Sequence, residues 1–247
     1  MKWLVGPAAL VAMLALASGC TTDTNATLYI KFNQPFTTGC DIPDGSGHTF
    51  QQFGQLDVTE PLPGTQFANP GYLLAAAVQN AAVATTAIPN AHQFYIKGAD
   101  VQLLSSGSAA STGLINALAA AGLDKRTQYL SGLVEPGASA GLGVYVIDAT
   151  QTEFLNGALT NPTPIQIITR TQLFGTIDYS DTKADPFDFP VTVCNGCAVG
   201  FLGACSAIPP MTTIHKGGTC NILQDGVVDC CTSATGALVC PAVAPTM

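Results

Sequence analysis

The chain has 247 residues, with 8 Lys and Arg against 16 Asp and Glu, a formal net charge of −8, and 47% hydrophobic but only 10% charged residues. A negative chain without a basic stripe excludes nucleic acid and anionic lipid headgroups as partners held by charge. The 28 threonines outnumber all 24 charged residues, and this β-branched, mildly polar residue suits the exposed face of a pleated sheet, so the composition points to a β-rich extracytoplasmic protein.

The first elements are an export signal and a tether. Lys2 precedes an apolar run from Trp3 to Leu16, and Ala17-Ser18-Gly19 supply small residues before Cys20. That layout predicts a secretory signal peptide over residues 1–19, too short for an ordinary spanning helix. Leu16-Ala17-Ser18-Gly19-Cys20 resembles a bacterial lipobox, although Ala17 stands where leucine is commoner. The resemblance implies cleavage before Cys20, a diacylglycerol on its thiol and an acylated amine. Each buried methylene contributes about 0.8 kcal/mol, so several acyl chains hold the protein firmly. Thr21 and Thr22, in place of an aspartate retention signal, imply the outer membrane. Residues 20–28 read as a lipidated, flexible tether.

The body is expected over residues 29–193. "ATLYIKFNQPF" (26–36) alternates as a strand, "TGCDIPDGSGHTF" is a turn-rich loop, and "QFGQLDVTE" is a second strand. "YLLAAAVQNAAVA" (72–84) predicts a short helix on propensity, with a buried strand as the alternative. Residues 92–105 form the clearest strand, Gly98 marking a bulge or turn. Residues 111–124 predict a helix ending near Gly122, 141–148 a strand, and Thr150 with Glu153 a capping box opening a helical turn. Residues 164–180 alternate strongly, as one strand or two, and "DFPVTVC" (188–194) is the last strand. Six or seven irregularly spaced strands with two or three short helices predict a mainly β protein with an Ig-like β-sandwich body.

Residues 194–247 read as a separate, disulfide-rich C-terminal module. Apart from Cys20, the chain carries eight cysteines: Cys40, Cys194, Cys197, Cys205, Cys220, Cys230, Cys231 and Cys240. An even set in an exported chain predicts disulfides. With seven in the tail, complete oxidation requires a bridge from Cys40 into the tail. Cys230 and Cys231 are expected to bond to different partners, because a vicinal disulfide strains the peptide between them. A redox role for Cys194-x-x-Cys197 is disfavoured because Gly200 and Gly203 break the helix that would lower a thiol pKa. A zinc site would need Cys205, His215 or Cys220 at spacings that fit no common zinc module. The expectation is a structural staple.

"PVTVCNGC", the later Gln224-Asp225-Gly226 and the cysteines after it resemble the endings of cell-surface lipoproteins from Gram-negative soil bacteria. The resemblance implies location and architecture, and no activity.

Two chemical alternatives remain. Gly137-Ala138-Ser139-Ala140-Gly141 fits the serine-hydrolase elbow pattern, with an acid such as Asp178 and with His215 as partners, but a strand rather than a helix should follow Ser139. Asp178, Asp181, Asp185 and Asp188 cluster as hard oxygen donors suited to calcium, though Lys183 interrupts them and Asp is a common turn residue. Asp41 and Asp44 offer a weaker version of the same donors. His48 and His92 read as surface or strand residues. The expectation is therefore a non-enzymatic, outer-membrane-anchored lipoprotein with a structural, adhesive or partner-binding role. No cofactor or metal is expected. The membrane is a partner through the lipid on Cys20, and an envelope protein or a glycan is the further partner.

Overall fold

In the computed structural model, the described residues are 27–45, 49–59, 69–84, 91–160 and 162–242. The signal segment, Cys20 and His48 lie outside them. Among the described residues the body contains β1 (Leu28–Asn33), β2 (Gly54–Asp57), β3 (Tyr72–Asn80), β4 (Phe94–Ser105), α1 (Ala109–Ala120), β5 (Lys125–Val134), β6 (Ser139–Ile147), α2 (Ala149–Ala158), β7 (Ile165–Ile177), β8 (Ser180–Lys183) and β9 (Phe187–Cys194). The tail adds β10 (Val199–Ala204), β11 (Val228–Thr232) and β12 (Leu238–Val239). The protein is mainly β, as its composition and strand patterning predict.

The body is a two-sheet sandwich. A small sheet has the order β1-β3-β6, and a large one the order β2-β9-β7-β4-β5 with β8 attached to β7. The alternation in "LYIKFN" and "IQIITRTQLFGTI" puts Leu28, Ile30, Ile167 and Leu173 on inner faces. There they meet Leu74, Val78, Phe94, Val101, Val144 and Phe189 in one core. Leu114 and Leu118 of α1 and Leu155 of α2 belong to the same core. Each helix has a side-chain cap: Ser108 accepts from the Ser111 N–H, and Asp148 with Gln151 forms a reciprocal capping box. The box is thus two residues earlier than Thr150 and Glu153, because Asp148 is the residue that remains extended when β6 ends.

Residues 72–80 correct the expected helix. They form a central strand paired with β1 and β6, and they are buried on both faces. A strand covered on both sides loses its alternation and reads as a continuous apolar run. The alanines have a steric reason. A Cβ on Gly45 would lie 3.2 Å from the Ala77 Cβ, and one on Gly141 would lie 2.0 Å from the Pro43 carbonyl oxygen. Only small residues let the loop before Gly45 lie flat on the outer side of the small sheet.

The tail forms a third sheet, β10-β11-β12, in which β10 and β11 run parallel. Its apolar interior is slight. Ile208, Cys231 and Ala242 form one cluster, and Leu223, Val228 and Cys230 another. Four disulfides organise it: Cys40–Cys220, Cys194–Cys197, Cys205–Cys231 and Cys230–Cys240. Adjacent Cys230 and Cys231 do take different partners, since neighbouring strand residues face opposite sides of β11.

Candidate functional site

The outer face of the large sheet brings together side chains from strands far apart in sequence. Pairing register aligns them in rows. Lys125, Gln102, Arg170 and Asp188 form one row, and Thr127, Asp100 and Gln172 the next. Tyr129, Gly98, Phe174 and Lys183 form the third. Tyr129 is 81% exposed and Tyr95, further along the same face, 51%. Gly98 follows the bulge in β4, and the Phe174 ring lies across it, where an added Cβ would come within 2.4 Å of the ring. Phe174 therefore meets Tyr129 edge to face, centroids 6.3 Å apart at 89°.

The polar rows are held in place by one another. Arg170 donates two hydrogen bonds to Asp188, each 2.7 Å. Lys183 and Thr127 donate to the two oxygens of Asp100 at 2.8 and 2.7 Å, and Lys97 donates to Asp181 at 2.8 Å. The hydrogen bond from Lys183 lowers the Asp100 pKa, and that from Arg170 lowers the Asp188 pKa. Beside Tyr129 these rows line a groove of about 630 Å³.

The residues of the two chemical alternatives are distributed differently. Ser139 opens β6 directly after a turn at Gly137, which has φ +72°, so the local order is turn to strand rather than strand to helix. The second glycine of the pattern, Gly141, admits Pro43. His215 belongs to the tail, where its backbone N–H and ring Nδ1 both meet Asp229 at 2.8 Å. Asp178 accepts from the His92 backbone N–H, which lowers its pKa, and also meets the ring of that residue. Asp178, Asp181 and Asp188 each have a basic partner, His92, Lys97 and Arg170, so these three acids are held in separate pairs instead of a converging oxygen cage. Cys205 and Cys220, considered as zinc ligands, are in disulfides.

The seam between body and tail contains polar groups that no local sequence signal marks. Asp57, fully buried, accepts from the backbone N–H groups of Gly196 and Ala198 at 2.8 and 2.7 Å, and from the N–H and hydroxyl of Thr59. One of its carboxyl oxygens lies within 4.8 Å of the sulfurs of Cys194 and Cys197. Those sulfurs are bonded to each other, and the carboxyl is engaged by four donors, so the cluster serves as an anchor for the turn after β9. The Leu223-Gln224-Asp225 segment lies along the free edge of β2. Asp57 N–H donates to Leu223 O, Asp225 N–H to Gln55 O, and Gln55 N–H to the Asp225 carboxyl. The Gln224 side chain reaches the other sheet, accepting from Leu73 N–H and donating to Leu73 O. Asp225, its pKa raised by burial, also accepts from the Tyr72 hydroxyl at 2.9 Å and borders a pocket of about 240 Å³. Tyr72 is raised by the same burial and by the Asp225 charge.

No protein-family model, curated protein or solved structure matches the chain.

Proposed function

We propose that the mature protein is a non-enzymatic lipoprotein of the outer membrane that holds a binding surface on a lipid tether. The observation that carries the reading is the disulfide set. All eight cysteines beyond Cys20 pair in four bonds, and one of these spans 180 residues of sequence. Such a framework belongs to an oxidising compartment, where the lipobox-like Leu16–Cys20 would direct the chain. Support for binding over catalysis comes from the acids and histidines. The Ser139 strand context does not suit a nucleophile, and His215, Asp178, Asp181 and Asp188 are engaged in structural pairs. The preorganised face of the large sheet is the binding surface.

Anchoring is tested by expressing the protein and its Cys20→Ala variant with a labelled fatty acid, then separating membranes. The expected result is label and membrane retention for the parent, and neither for the variant. A variant that remains membrane-bound sinks the tether.

A further inference from the structure

We propose that the outer face of the large sheet binds a neutral polysaccharide chain. Its sugar rings stack on the Tyr129–Phe174 pair, and its hydroxyls bond to the two polar rows beside that pair. The inference rests on the binding reading above and names the ligand class.

A sugar ring has apolar C–H faces and a rim of hydroxyls that both donate and accept. Its complement is an exposed aromatic surface next to fixed, planar hydrogen-bonding groups, and this face provides both. Tyr129 rises 81% exposed from the edge strand β5. Phe174 supports it from β7 across the gap left by Gly98. An aromatic with two rotatable torsions offers contact area at low entropic cost. From Tyr129 to Lys125 the rows extend about 13 Å, four residues at about 3.3 Å each, which accommodates more than one ring of a chain laid along the strands.

Charge decides between neutral and acidic polymers. Six ions on the face cancel in three pairs, Arg170 with Asp188, Lys183 with Asp100 and Lys97 with Asp181, and Lys125 at the end of the first row stands outside them. Pairing removes the local field but leaves carboxyl lone pairs and guanidinium N–H groups available in fixed positions. Gln102 and Gln172 add amides that both donate and accept. The overall charge of −8 repels a polyanion. A ligand rich in hydroxyls and without charge suits this face best. The groove of about 630 Å³, lined by Gln102, Thr127, Arg170 and Gln172 of the polar rows, has the volume of a small-ligand site.

The test uses the full oxidised chain in native gels cast with soluble β-glucan, starch or mannan, and with polygalacturonate as an acidic comparison. At least one neutral polymer is expected to retard the protein. Calorimetry with the matching oligosaccharide should show Tyr129→Ala and the double variant Gln102→Ala/Gln172→Ala each weakening binding at least tenfold. Tyr179→Asn, altering a fully exposed aromatic on the β7–β8 turn, should leave it unchanged. Thermal melts establish that the variants fold, as expected for an exposed tyrosine. Retardation by no neutral polymer, by polygalacturonate alone, or equally in all variants overturns the proposal. A photocrosslinking residue at position 129 in intact cells separates the two readings. Protein adducts without polysaccharide retardation overturn the glycan and keep a binding face. Neither adduct nor retardation removes both.

Discussion

The body and the tail of this protein achieve order by different means. In the body, 27 buried hydrophobic residues among those described form one core shared by two sheets and two helices. In the tail, two clusters of three buried residues each include cysteines, and a parallel strand pair is tied by covalent bonds. A segment of this size buries too little surface to offset its chain entropy, and disulfides make up the difference by restricting the unfolded chain. The two regions then depend on each other at the seam. The tail covers the free edge of β2, which otherwise presents unpaired backbone groups, and the body supplies Asp57 to hold the turn that starts the tail.

The sharpest way to break that comparison is to cut the long bridge. Cys40–Cys220 spans 180 residues, and the chain-entropy relation assigns such a closure about 5 kcal/mol. Cys40→Ala/Cys220→Ala should therefore move the urea midpoint further than loss of Cys230–Cys240, which spans only 10 residues. Equal shifts would show that the clasp formed by Gln224 and Asp225 already fixes the tail without the bond.

Next in size is the seam itself. Asp57→Ala leaves the N–H groups of Gly196, Ala198 and Thr59 without their buried acceptor, at a cost of about 3 kcal/mol. Amide exchange should accelerate at residues 195–198 and along β2 more than in the centre of β4. Uniform acceleration would mean that body and tail unfold as one unit, and the distinction between them would fail.

What was legible in the sequence follows the same division. Period-two alternation marks β4 and β7 because each has one wet face, and cysteine arithmetic marks the link from Cys40 into the tail because it needs only a count. β3 is hidden because cover on both faces removes the alternation that identifies a strand, leaving "YLLAAAVQN" to resemble a helix. Asp57 looks like any strand-end acid capping its own turn at Thr59, since its other two donors, the Gly196 and Ala198 N–H groups, are about 140 residues away. The platform of Tyr129, Gly98 and Phe174 comes from three strands, so neither spacing nor motif connects its members. Gly137 and Gly141 imitate a catalytic pattern, yet one serves a turn and the other a close approach of the Pro43 loop.

The mildest perturbation concerns proton uptake at the clasp. Burial raises the Asp225 pKa even though the Gln55 backbone, Tyr72 and Gln224 all donate to it. The sign follows from linkage: a carboxyl whose folded pKa exceeds its unfolded one holds its proton longer in the folded state. Its contribution is complete below the unfolded pKa, falls as pH rises through the window up to the folded pKa, and stays lost above it. Asp100, Asp178 and Asp188 act oppositely, because their lowered pKa values add stability above the ordinary carboxyl range and lose it as pH falls. Asp225→Asn removes only the first effect. The melting temperature of the variant minus that of the parent should therefore increase from about pH 4 to about pH 7, where an unperturbed Asp has already ionised. The size of any constant offset reflects how an amide suits the Tyr72 hydroxyl, and it does not affect the slope. Calorimetry at several pH values gives that slope directly. A flat difference would mean that the 240 Å³ pocket beside Asp225 solvates the carboxylate, and that the clasp holds the tail equally well with or without the proton.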